Sequence, residues 1–243
     1  MITVLAAALV AASQPAPAEG ADAAEAEPTK LSEEERRKIT PPKFVSGDRA
    51  PYSDEAKALG HHGEVRILVS VDESGRVRSA QVRQTSHSEL LDASALETAR
   101  SAQFTPALDA EGQPMPLDLI VPYEFYKSKS SEPGGGLVRY SCADFTLDTD
   151  WWDSLGLTND RGKPEKTQLE TMLLGLRTIS SGTRGSIFPT DPKAFVKMME
   201  DHRKNWSKAR EKCRANPDQM LIKYLDNRKQ IERMSEMAMR ERH

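Results

Sequence analysis

From Val65 to Val71 every second residue is apolar (Val65, Ile67, Val69, Val71), a period of two that argues for a strand burying one face. Asp72-Glu73-Ser74-Gly75 then reverses the chain, since glycine can take the positive φ that a tight hairpin needs. Val77 begins the return run, which continues through Ala80, Val82 and Gln84. From Glu89 the period becomes helical, with Leu91, Ala95, Leu96 and Ala99 on one stripe and Ser88 placed as N-cap. Phe104-Thr105-Pro106-Ala107 ends that helix, Asp109 to Gly112 makes the next turn, and Leu117, Leu119, Val121, Tyr123 and Phe125 alternate as a third strand. Ahead of the first strand, Pro51 to Leu59 fits a short helix stopping at Gly60, and Phe44 and Val45 supply an edge strand or a strap. The expected fold is α+β: a small three-stranded antiparallel sheet with helices, followed by a mostly α-helical second domain.

A chain of 243 residues with 37% hydrophobic content supports two small cores better than one large one. The net charge of −3 mixes 34 basic with 37 acidic residues, so no global basic field draws it to nucleic acid. The start, MITVLAAALVAASQPAPA, has an apolar run from Ile2 to Ala12 and small-residue exits after Ala12 and Ala18. It reads as a secretory signal peptide over residues 1–18, and hence as a periplasmic protein; the other reading is a disordered Ala-rich tail on a cytosolic one. No later segment approaches membrane-spanning length. Cys142 and Cys213 are the two cysteines; in an exported protein such a distant pair suggests a disulfide, the alternative being two buried thiols.

Residues 19–40 form an expected disordered linker, with Lys30 to Lys38 as a short charged helix inside it, and the first domain covers 41–126. KSKSSEPGGG at 127–136 reads as a flexible linker. A helical domain at 137–226 follows, with Trp151 and Trp152 as its core aromatics and a helix over Pro164 to Ile179. A second helix starts at Asp191-Pro192, carries Phe195, Met199, His202, Trp206, Ala209 and Cys213 on one stripe, and stops at Asn216-Pro217. Met220, Leu221, Tyr224 and Leu225 belong to a last helix, and residues 227–243 form a charged helical tail with a thin seam of Ile231, Met234 and Met237.

The ordered set PYSDEAKALGHHGEVRILVSVDESGRV, LLDASALETARSAQFTPA, GQP and LIVPYEF resembles the C-terminal domain of the TonB family over about a third of the chain. That family's domain captures a short extended segment of an outer-membrane transporter by adding it to the sheet. The resemblance therefore implies a protein or peptide partner and a peptide-accepting edge at Leu117 to Phe125. More thinly, YSCADF, WW and KCRANPDQML resemble the HdeA-like periplasmic helical proteins, which have one cysteine near the start and the second before an Asn-Pro step.

No nucleophile motif or phosphate-cradling glycine pattern is present, and Ser86-His87-Ser88 brings no orienting acid, so no enzyme activity and no cofactor are expected. His61 and His62 are adjacent, with no third ligand at metal spacing, and read as solvated loop residues. What remains is recognition by backbone, because a three-stranded sheet has two unpaired edges. The candidate binding residues are Leu117, Asp118, Leu119, Ile120, Val121, Tyr123 and Phe125, with Pro122, which has no N–H to give, compatible with an edge. Two registers are open: Leu119, Val121 and Tyr123 face the helix, or Ile120 does. Residues 1–50 show neither an uncleaved spanning helix nor Pro-Glu or Pro-Lys repeats, so a direct part in energised transport is not expected. The leading expectation is a periplasmic adaptor without catalytic activity. A chaperone or stress protein acting through the helical domain is the alternative, and dimerisation through the sheet module a third.

Overall fold

A computed structural model of the protein describes residues 38–129, 136–181 and 191–233. The expected signal peptide, the linker and charged helix before Lys38, the centre of the Gly-Ser linker, the loop after Ser181 and the tail beyond Arg233 lie outside the described residues. The fold is α+β. Strands β1 (Phe44–Ser46), β2 (Gly63–Val71), β3 (Val77–Gln84), β4 (Gln103–Phe104), β5 (Ala107–Leu108), β6 (Pro114–Met115) and β7 (Leu117–Phe125) accompany helices α1 (Asp54–Ala58), α2 (Glu89–Ser101), α3 (Cys142–Ser154), α4 (Gln168–Ser181) and α5 (Pro192–Ala215). The main sheet has the order β3-β2-β7, antiparallel throughout.

Turn chemistry drives the hairpin. The Asp72 carboxylate accepts from the Ser74 and Arg76 amides and the Ser74 hydroxyl, and these bonds hold its pKa below the ordinary carboxylate range. Gly75, at φ +82°, lies so close to the Phe104 carbonyl that any Cβ would collide with it, so this position requires glycine twice over. Ser88 caps α2, its hydroxyl accepting from the Leu91 amide. Leu91, Ala95 and Ala99 of α2 then cover Val65, Ile67, Val69 and Val71, all essentially inaccessible, and form the first core with Tyr52, Phe104 and Phe125. Val121, Leu119 and Tyr123 pack against that core while Ile120 is 52% exposed, which decides the register left open by the sequence. The segment expected as an edge strand or a strap is β1, which pairs with β4 through Phe44 opposite Phe104 and is not part of the main sheet.

A second core gathers Tyr140, Phe145, Leu173, Trp206, Ala209 and Leu221 around the Cys142–Cys213 disulfide, whose partners lie 71 residues apart in sequence and 4.6 Å apart at Cα. The Cys142 amide donates to the Gln219 carbonyl and the Leu221 amide to that of Tyr140, so the chain after α5 runs back along the start of α3. Three expectations are corrected here. Helix α4 begins at Gln168 rather than Pro164, because Pro164 is bridged to Thr158 and the Thr167 hydroxyl accepts from the Glu170 amide as cap. The buried stripe of α5 is Met198, His202, Trp206, Ala209 and Cys213, leaving Phe195 at 37% exposure; the contact surface selects Met198 over Met199. Residues Leu221–Tyr224 form a 3-10 turn, not an α-helix, held by the Tyr140 pairing.

Candidate protein-binding edge

Every residue of β7 from Leu117 to Phe125 pairs with β2 without a register shift, from Gly63 opposite Phe125 to Val71 opposite Leu117. β3 pairs with the other side of β2 through two shifts, near Ile67 and near Val71. Bulges of that kind twist an edge and spoil it as a template, so β7 is the more regular of the two edges. Among the described residues no strand pairs with its outer side.

The direction of the backbone groups follows from the hairpin. The Asp72 amide donates to the Arg76 carbonyl and the Gly75 amide to that of Asp72, so even-numbered positions of β2 turn their polar groups toward β3 and odd-numbered ones toward β7. In the β2–β7 register odd residues oppose odd ones, so Leu117, Leu119, Val121, Tyr123 and Phe125 spend their backbone bonds on β2. Asp118, Ile120 and Glu124 aim their N–H and C=O groups outward, and Pro122, opposite Arg66, loses only an outward donor. The predicted set thus divides. Leu119, Val121, Tyr123 and Phe125 are core-facing, and burial raises the Tyr123 phenol pKa; Asp118 and Ile120 carry the free edge. Glu124, missing from the sequence-derived set, shares that outward side, and counting in twos from Pro122 would have found it.

The far end of β7 is anchored. The Lys127 ammonium, 13% exposed, lies 2.7 Å from Asp148 Oδ1 and 3.0 Å from Asp144 Oδ1, and the Tyr140 hydroxyl donates to Asp148 Oδ2 at 2.6 Å. Burial lifts the Asp148 pKa to about 6 against the opposing pull of Lys127, and burial and the Asp148 charge push the Tyr140 phenol well up. Lys127, placed by sequence in a flexible linker, is here a fixed contact between strand end and helix α3.

His62 and the two tryptophans complete this junction and correct two expectations. His62 is 6% exposed, its Nδ1 3.0 Å from the Gly60 carbonyl, and its ring centroid lies 5.1 Å from Trp151, 5.7 Å from Trp152 and 6.0 Å from Tyr126. Burial lowers its pKa to about 4. His61 stacks on Trp151 at 4.8 Å and bonds Ser88 through Nδ1 at 2.8 Å. The histidines are therefore not a solvated loop, and the tryptophans cap the sheet module instead of filling the helical core; contacts between residues 61–62 and 151–152 leave no signal in local sequence. Gly60 permits the approach, since a Cβ there would meet the Leu147 carbonyl oxygen at 2.7 Å. Among the described residues no group of three or more His, Cys, Asp or Glu side chains is placed to hold a metal, and no helix is long and apolar enough to cross a membrane.

Residues 48–126 match the family model of the Gram-negative bacterial TonB protein C-terminal. That segment is similar to a TonB C-terminal module. Among solved structures, the chain is similar to the solution NMR structure of the Pseudomonas aeruginosa TonB CTD, at 24% identity, with 36% of this chain and 88% of that one covered and a TM-score of 0.30. Comparison with curated proteins returns no match.

Proposed function

We propose that this is a non-enzymatic binding or adaptor protein of the periplasm that captures an extended peptide by strand addition along β7, in connection with outer-membrane transport. The observation that carries the reading is the unshifted β2–β7 ladder with the outward groups of Asp118, Ile120 and Glu124 left over. In an antiparallel addition each of these residues exchanges two backbone bonds with the peptide and Pro122 accepts one, a set typical of β-augmentation. The TonB C-terminal match of residues 48–126 supports the partner class, because that family is a protein-interaction domain. The division into a sheet domain at 41–126 and a helical domain at 137–226 belongs to the same proposal. In it the helical domain fixes the end of β7 through Lys127 and the aromatic junction. The test is an NMR titration of the full chain with peptides from outer-membrane transporters. Amide shifts confined to β7 and its outward neighbours are expected; no response there with any peptide overturns the reading.

A further inference from the structure

The outward-facing residues of β7 also set what kind of strand fits. The residues whose backbone groups face the open edge project their side chains onto the sheet face away from α2, where Asp118, Ile120, Pro122 and Glu124 are all exposed. Their neighbours on that face are known from the register: Ser70 opposite Asp118, Leu68 opposite Ile120, Arg66 opposite Pro122 and Glu64 opposite Glu124. The two glutamates, a like-charged cross-strand pair, are each relieved locally, Glu64 by Arg66 and Glu124 by Lys129. Asp118 differs: beside it stands only the neutral Ser70, and it has no ion pair among the described residues. One position along, Leu68 and Ile120 form an apolar row that stops at the edge with Ile120 half exposed.

Resting on the strand-addition reading, we infer that the partner is an extended peptide with a Lys or Arg opposite Asp118 and an apolar side chain, two residues away, opposite Ile120. A strand laid on this edge places one side chain directly across from each outward residue, close enough for charge and apolar pairs to count. A cation there meets the one carboxylate of the face lacking a cross-strand or local counter-charge. An aliphatic residue extends the Leu68–Ile120 row and covers Ile120. The pattern works for either direction of the added strand, because only the spacing of two is specified.

The experiment is a selection of extended heptapeptides, randomised at every position, by the immobilised full chain, followed by NMR mapping of the enriched peptides and a repeat with Asp118→Lys. Expected is enrichment of Lys or Arg two residues from an aliphatic position, turning to Asp or Glu with the variant. A single selected peptide should lose about two- to fivefold in affinity on Asp118→Lys. Asp118 is exposed and its carboxylate serves no ladder bond, so the variant keeps the fold. Peptides that shift the β7 amides yet show no basic preference, or keep it with Asp118→Lys, overturn the inference alone. A selection yielding no peptide that shifts those amides overturns strand addition itself.

Discussion

Replacing His62 by leucine tests the junction that holds β7 to the helices. His62 is neutral in the folded protein down to about pH 4, against an ordinary value of 6.5, chiefly because burial among Trp151, Trp152 and Tyr126 penalises its charge. Lys127 and His61 disfavour the cation further, and only the Gly60 carbonyl opposes them. A histidine depressed in this way binds its proton more readily unfolded, so its contribution to stability is whole above 6.5 and is lost as pH falls toward 4. Linkage over that window gives a loss of about 2 kcal/mol between about pH 7 and pH 4.5. His202, also lowered to about 4 by burial, adds a loss of the same sign. Asp148 acts oppositely: its folded pKa is raised from 3.8 to about 6, so its protonation gains stability as pH falls through 6. The wild-type profile alone therefore mixes cancelling contributions, and the difference between wild type and His62→Leu isolates the histidine. Urea unfolding at stepped pH should show the wild-type advantage shrinking by about 2 kcal/mol on acidification. A gap independent of pH would refute a buried neutral His62.

Lys127→Met should cost about 3–5 kcal/mol in chemical denaturation, because it leaves the Asp148 carboxylate, 4% exposed, with Tyr140 as its one remaining close donor among the described residues; adding Asp148→Leu should recover most of the loss. Removing the disulfide by Cys142→Ala with Cys213→Ala opens a closure across 71 residues and should lower stability by roughly 4 kcal/mol, read as a fall in the urea midpoint. Ile120→Pro deletes one outward N–H that β2 does not use. It should change folding stability by under about 1.5 kcal/mol while weakening a bound peptide about three- to tenfold in the NMR titration. A large loss of stability instead would show that Ile120 bonds to β2, reversing the assignment of the edge.

Local sequence determined the strands and caps of the sheet module. The period-two runs at Val65–Val71 and Leu117–Phe125, Ser88 as cap and Gly75 in the turn each act within a few residues, and the structure has each in its expected place. Even the outward side of β7 was legible once Pro122 is taken as a marker, since a residue without an N–H must sit where the ladder asks for none. Tertiary structure alone decided which face of β7 meets α2, that the α5 stripe buries Met198 in place of Met199 and leaves Phe195 out, and that His62 lies among Trp151, Trp152 and Tyr126. The last of these depends on surfaces brought together from positions about ninety residues apart, the span from His62 to Trp152. Adjacent histidines look solvated when no neighbour in sequence can bury them, and Lys127 beside serines looks mobile until Asp148 arrives from another helix to hold it.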